Sequence, residues 1–212
     1  MTALLAGLRP LFHVAFTLWS SPVTWLELLA FVLSLATVVM NIRVNPLAWP
    51  LAIVSSLLTF GLFWNSRLYG DASLQVFFAV VALWGWWQWL YGRRADGTPL
   101  EVRGLGRRGR WIAIAALAIA WPVTGVFLKR YTDTDVPWWD GFATAASVLG
   151  QWLLGRKYIE NWLAWVVVNV VSVALFAYKQ LWLMVILYAL FILMCGAGWR
   201  AWQGLRRDRV AM

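Results

Sequence analysis

The run NWLAWVVVNVVSVALF, residues 161–176, places one carboxamide deep inside an otherwise apolar stretch. Trp162, Trp165, Asn169, Ser172 and Phe176 recur at spacings of three and four, so a helix puts them on one face. Asn169 stands near the middle, where an unanswered amide is expensive. An amide with an indole one turn away can hydrogen-bond and stack a planar polar ligand at once; the alternative is an interhelical hydrogen bond. The stretch LWGWWQWLYGRR, residues 83–94, offers the same pairing in Trp84 and Gln88. Two polar stripes accompany these pairs. Glu27, Ser34, Thr37 and Asn41 share one helical face, and Asp140, Thr144, Ser147 and Gln151 repeat that pattern further along. Close helix packing explains Ser34 and Ser147 equally well; it explains Asn41 and Gln151 less well. Glu27 and Asp140 fall in first turns, where a carboxylate caps backbone N–H groups. The ligand candidates are therefore Trp84, Gln88, Trp165, Asn169, Asn41, Gln151, Thr144 and Ser147, with Gln75 and Tyr188 as an outer gate.

Other chemistries find little to work with. The sequence has one His and one Cys, and no nucleophile stands beside a base. No His, Cys or carboxylate group has metal-ligand spacing, and no G-x-x-x-x-G-K-[ST] loop is present for ATP. Cys195 lies among apolar residues and reads as packing. Neither an enzyme nor a cofactor is called for.

The composition sets where these residues act. Of 212 residues, 62% are hydrophobic and 13% charged, against about 25% charged in a soluble domain. The net charge of +9 sits in short clusters between apolar runs, not along a polar face as nucleic-acid binding requires. The chain reads as an all-α integral membrane protein. Apolar runs near 25–40, 47–64, 72–91, 111–128, 138–154, 161–178 and 182–199 each approach the length that crosses a hydrocarbon core as a helix. Residues 1–20 contain Arg9, Pro10 and His13 and read as an N-terminal interfacial helix, not as a signal peptide.

Seven spans put the two ends of the bundle on opposite faces. Five basic residues (Arg9, Arg67, Lys129, Arg130 and Lys179) lie on the N-terminal face and thirteen on the other. The positive-inside rule then places the N-terminus outside and the C-terminus in the cytoplasm. Arg93 and Arg94 close the third span, so Trp86 and Trp89 just before them read as an aromatic belt. The basic loop 92–110 reads as a contact with anionic headgroups.

The chain also repeats itself. Residues 25–94 align without a gap on 138–207, a shift of 113 positions. Trp49 meets Trp162, Arg43 meets Arg156, Gly85-Trp86 meets Gly198-Trp199, Trp89 meets Trp202, and Arg93-Arg94 meets Arg206-Arg207. Three spans per repeat and one between them give a 3+1+3 arrangement of parallel repeats, a plan found in transporters. The units are 1–22 (interfacial segment), 23–94 (first repeat), 95–135 (basic loop and linker helix), 136–207 (second repeat) and 208–212 (tail). Mismatched polar positions suit an asymmetric ligand: Asn169 faces Ser56 in this alignment, Trp165 faces Ala52, Trp84 faces Ala197 and Gln88 faces Ala201.

The stretches WPLAIVSSLL, SRLYGDASLQVFFAVVALWGWWQWL and GRKYIENWLAWVVVNVVSVALFAYKQLWL resemble the bacterial PnuC-type nicotinamide riboside transporters, over spans one to three and five to seven. The resemblance implies seven helices similar to SWEET sugar transporters, facilitated diffusion of a vitamin precursor across the inner membrane, and trapping by a cytoplasmic riboside kinase. It also implies homo-oligomers, trimers in particular. Nicotinamide riboside offers a cationic ring for an indole face and a carboxamide for Gln88 or Asn169. Thiamine, another cationic aromatic vitamin carried by some relatives, stays open, as does a scaffold role without transport.

Overall fold

The computed structural model describes residues 9–19, 21–65 and 69–210. A 3-10 turn (Arg9–Phe12) leads into strands β1 (Val14–Leu18) and β2 (Ser21–Thr24). Seven helices follow: α1 (Trp25–Ile42), α2 (Ala48–Asn65), α3 (Tyr69–Tyr91), α4 (Arg107–Tyr131), α5 (Pro137–Gly155), α6 (Asn161–Tyr178) and α7 (Trp182–Val210). Each expected span lies within or against one of them. Four of these helices (α1, α4, α6 and α7 over Trp182–Arg207) are long and apolar enough to cross a membrane by length and composition alone. The apolar part of α2 is shorter, Ala48–Gly61, and α3 and α5 are diluted by glycines, amides and indole N–H groups.

The N-terminal segment departs from expectation. Residues 9–24 do not form an interfacial helix: β1 and β2 pair antiparallel, Val14 opposite Thr24 and Leu18 opposite Ser21. Val14, Phe16 and Thr17 favour a pleated strand, and Pro22 is tolerated in a two-stranded ribbon with no further neighbour to receive its missing N–H. Residues 1–8 of the expected helix lie outside the described residues. Strand β2 runs straight into a capping box. The Glu27 N–H donates to Thr24 Oγ1 (3.2 Å), and the Thr24 N–H donates to Glu27 Oε2 (2.7 Å), as the first-turn carboxylate suggests. Asp140 behaves differently: α5 opens on Pro137 with no side-chain cap. The Asp140 carboxylate instead accepts from the Thr134 hydroxyl and lies 4.0 Å from Lys179 Nζ.

Helices adjacent in sequence pack together, α1 on α2, α2 on α3, α4 on α5, α5 on α6 and α6 on α7. Helix α4 meets α5 backbone to backbone: a Cβ at Gly141 would lie 2.7 Å from the Gly125 nitrogen, the close approach that small residues permit inside membranes. The main contacts between the earlier helices and the later ones are α1 with α7 and α3 with α5. Shifting α1 and α3 by 113 positions gives α5 and α7, so these two seams are equivalents of one another.

Four tryptophans hold the seams together. Trp49 and Trp89 meet edge to face at 5.5 Å, Trp162 and Trp202 do the same at 5.5 Å, and Trp89 and Trp202 lie 6.3 Å apart. Both halves use a glycine to seat an indole: a Cβ at Gly85 would lie 2.2 Å from the Trp49 ring, and one at Gly198 2.5 Å from Trp162. Trp89 Nε1 donates to the Leu154 carbonyl (3.1 Å), at the end of α5. Its counterpart Trp202 Nε1 donates to the carbonyls of Asn41 (3.1 Å) and Ile42 (3.2 Å), at the end of α1. The last carbonyls of a helix lack intrahelical partners; here the Asn41 and Leu154 carbonyls accept from the Val44 and Lys157 N–H groups of the following turns and take a second donor from the opposite half.

The belt reading of Trp89 is therefore corrected. It is 6% exposed and Trp202 is 0% exposed, because the carbonyls that their N–H groups need are inside the seam and not at the headgroups. Trp86 is half-buried and packs against the same cluster. Replacing Trp202 by Phe keeps most of the ring but removes the indole donor to the carbonyls at the end of α1, a loss of about 0.5–1.5 kcal/mol. Trp89→Phe loses a comparable amount by symmetry. Thermal unfolding in detergent, followed by circular dichroism, is expected to show similar drops for the two variants; a drop for one alone would contradict the equivalence of the seams.

Candidate functional site: a polar lining between helices

The candidate residues divide by seam. Asn169 is 2% exposed on α6, and its amide nitrogen reaches Cys195 Sγ on α7 at 3.6 Å. A thiol is a weak acceptor, so the amide is held without being strongly used. Trp165, half-buried one turn earlier, lies against α5, where a Cβ at Gly150 would come within 3.2 Å of its ring. Ser147 on α5 and Ser172 on α6 are buried, and Thr144 and Gln151 are half-buried. Asn169, Trp165, Ser172 and the α5 stripe thus belong to one packed unit, α5 to α7.

Trp84 and Gln88 sit elsewhere. Trp84 fills the notch above Gly155, where a Cβ would lie 2.4 Å from its ring. Gln88 is buried, and its Oε1 accepts from Arg156 Nη1 at 2.9 Å. Both lie on the α3–α5 seam, and among the described residues no hydrogen bond ties them to Trp165 or Asn169. Asn41 closes α1 beside Trp202; its side-chain oxygen is buried without a hydrogen-bond partner. In the same half Ser34 Oγ and Ser55 Oγ lie 3.4 Å apart, and the Thr37 hydroxyl donates back to the Leu33 carbonyl at 2.9 Å. Those contacts are the close-packing role weighed for Ser34. Gln75 is half-buried. Tyr188 lies among rings, 5.0 Å from Phe176 and 5.5 Å from Phe191, and no hydrogen bond joins it to Gln75 among the described residues.

The basic loop after α3 is also better anchored than its charge suggests. Leu100 and Val102 are buried. Arg103 pairs with the α5–α6 loop, its N–H donating to the Lys157 carbonyl (3.1 Å) and its carbonyl accepting from the Ile159 N–H (2.8 Å). The Arg103 guanidinium lies over the Tyr158 ring and donates to its hydroxyl at 2.8 Å. Lys157 Nζ donates to the Leu100 carbonyl at 3.0 Å. Glu160 accepts from the Leu105 N–H (2.9 Å) and pairs with Arg110 (3.1 Å). At the loop's tip the Thr98 hydroxyl and N–H hold the Asp96 carboxyl below its ordinary range. Residues 92–106 therefore form a strap across the end of the second half. Sequence reasoning passed over Arg156, Tyr158, Glu160 and Arg103; the available signal was that Arg156 has a repeat mate while its partner Gln88 has none.

Seven helices joined by two equivalent seams, with buried amide and hydroxyl side chains on α5 and α6, suit a membrane carrier built on repeats. Residues 24–204 match the family model described as Nicotinamide mononucleotide transporter, and the chain belongs to that family. It is 30% identical over 200 residues, 92% of either chain, to the riboflavin/roseoflavin transporter RibM of Streptomyces davaonensis. It is 27% identical over 172 residues, 70% of this chain and 72% of the other, to the nicotinamide riboside transporter PnuC of Escherichia coli K12. The fold is similar to a crystal structure of the vitamin B3 transporter PnuC, with a TM-score of 0.73, 21% identity and coverage of 87% of this chain and 83% of that one. Family and apolar helices together locate the chain in a membrane.

The strap generates its own test. Glu160→Ala removes the acceptor of the Leu105 N–H and the partner of Arg110, so the strap should loosen. Limited trypsin digestion of the detergent-solubilised protein is expected to cleave after Arg103 several-fold faster in the variant. Unchanged protection there would show that Glu160 does not hold the strap.

Proposed function

We propose that this chain carries an aromatic vitamin, nicotinamide riboside in the first instance, across the bacterial inner membrane by facilitated diffusion. All seven helices cross the membrane in a 3+1+3 arrangement of parallel repeats, with the N-terminus outside and the C-terminus in the cytoplasm. The observation that carries the reading is the family match over residues 24–204 in a chain whose halves meet at two equivalent seams. Alternating access then amounts to rocking of one half against the other.

The binding site is proposed to centre on Asn169 and Trp165, with Ser147, Thr144 and Gln151 on α5 and Asn41 from the first half. Trp84 and Gln88 form its cytoplasmic wall, and Gln75 and Tyr188 its outer gate. A buried carboxamide whose partner is a thiol supports Asn169 as the group kept available for a ligand amide, because a neutral thiol competes weakly for it. The nearby indole supplies the face for a cationic ring. Accumulation would follow from phosphorylation by a cytoplasmic riboside kinase, and homo-oligomers, trimers in particular, remain part of this reading.

A second reading is favoured by one observation: the riboflavin/roseoflavin transporter matches this chain over 92% of both lengths. Riboflavin also joins a planar ring bearing amide-type groups to a polyhydroxyl chain, so the same amide-and-indole pair could serve it. Calorimetric titration of the purified protein with nicotinamide riboside, riboflavin and thiamine separates these readings. Nicotinamide riboside is expected to bind, and Asn169→Leu to lose at least tenfold in affinity while its thermal midpoint stays within a few degrees, since a thiol-bonded amide contributes little to stability. Binding of riboflavin or thiamine alone would move the substrate within the vitamins. Binding of none of the three would overturn the proposal.

A further inference from the structure

The two seams are equivalent by sequence shift, yet they are not equally fastened. On the α3–α5 seam, Arg156 donates to the buried Gln88 (2.9 Å) and Trp84 fills the Gly155 notch. The corresponding positions on the α1–α7 seam are Arg43 for Arg156, Ala201 for Gln88, Ala197 for Trp84 and Ile42 for Gly155. Arg43 and Ala201 are both exposed, and alanine has no group to receive a guanidinium. The strap adds a second fastening on the α3–α5 side. It leaves α3, buries Leu100 and Val102, and pairs through Arg103 with Lys157 and Ile159 on the loop that follows α5. After α7 the chain continues as helix to Val210, so among the described residues the α1–α2 loop receives no equivalent strap.

What the seams share is one indole donor each: Trp89 on Leu154, and Trp202 on Asn41 and Ile42. On the α3–α5 side that bond is reinforced by a guanidinium–amide bond and by a backbone ladder. On the α1–α7 side Trp202 is the one cross-seam hydrogen-bond donor among the described residues. Motion between two packed bodies takes place where the fewest directional bonds must break.

We propose that the α3–α5 seam is the fixed pivot of the transporter and that the α1–α7 seam parts at the cytoplasmic end, with Gln88, Arg156 and the 92–106 strap as the residues that decide which seam moves. The proposal rests on the alternating-access reading given above. It makes Trp202 the latch: its release from Asn41 and Ile42 opens the bundle while Trp89 stays on Leu154.

The test transplants the fastening. Ala201→Gln sets a carboxamide opposite Arg43, where symmetry with Gln88 and Arg156 lets it accept the guanidinium; Ala201→Leu adds similar bulk without an acceptor. Full-length protein is reconstituted into vesicles and the entry of nicotinamide riboside or riboflavin is measured. Ala201→Gln is expected to slow entry by about tenfold or more, the worth of one charged hydrogen bond, while binding affinity is kept. Equal slowing by Ala201→Leu, or no slowing by Ala201→Gln, would overturn the proposal. A second measurement needs no substrate. Spin labels at Arg43 and Leu205, and separately at Tyr91 and Trp152, in a Cys195→Ser background, report the cytoplasmic width of each seam. The 43–205 distances are expected to be broad or two-peaked and the 91–152 distances narrow. Equal widths, or the reverse order, would contradict a fixed α3–α5 pivot. Asymmetric widths in a protein that moves neither vitamin would retain the pivot and refute the transport reading instead.

Discussion

The architecture depends on a reciprocal exchange between indole N–H groups and helix-end carbonyls. Helices α1 and α5 end inside the bundle, where the Asn41 and Leu154 carbonyls accept from the Val44 and Lys157 N–H groups of the following turns and keep a second lone pair for a further donor. Trp202 donates to the end of α1 and Trp89 to the end of α5, so each half adds a directional bond across the seam to the other. Few side chains could do this. The donor must reach from α3 or α7 across a seam, bring an apolar body that packs at core density, and carry a single N–H at its far edge, and indole meets all three requirements. Gly85 and Gly198 follow from it, because the neighbouring Trp49 and Trp162 can lie flat against α3 and α7 only where no Cβ intervenes.

Much of this was legible in the sequence because the constraint is periodic. The seven apolar runs anticipated all seven helices, and the 113-position repeat paired the Trp and Gly positions that prove structurally equivalent. The burial of Trp89 was not legible. A tryptophan next to two arginines looks the same at a headgroup as at a seam, and the difference lies in a carbonyl 65 residues away. The strap was missed for a similar reason: its ties, backbone and side-chain alike, join residues such as Arg103 and Tyr158, or Leu105 and Glu160, that lie 55 positions apart. The hairpin at 14–24 was missed because an apolar N-terminal stretch was weighed by hydrophobicity and not by its Val, Phe and Thr content. Of the site candidates, Asn169 and Trp165 lie on neighbouring helix contacts of the second half. Gln88 is already engaged by Arg156, a pairing hidden by the 68-residue separation.

Duplication and asymmetry carry different parts of the function. The duplicated features, the tryptophan quartet and its glycines, make two halves that fit together. The unduplicated ones are Asn169 against Ser56, Trp165 against Ala52 and Gln88 against Ala201. Under the proposed function they are the groups that would hold an asymmetric vitamin. The sequence offers no nucleotide-binding loop, and no group of three or more His, Cys, Asp or Glu residues is placed to hold a metal ion among the described residues.

The central claim is that this chain moves an aromatic vitamin down its own gradient through one alternately exposed site. Counterflow tests it most directly. Vesicles containing the protein are loaded with unlabelled nicotinamide riboside, diluted into a trace of labelled vitamin with no ion or proton gradient, and followed over time. The account predicts transient accumulation of label above the external concentration, unaffected by ionophores; riboflavin in both roles would give the same pattern under the flavin reading. Absence of counterflow with every vitamin that binds, or uptake only when an ion gradient is imposed, would contradict it.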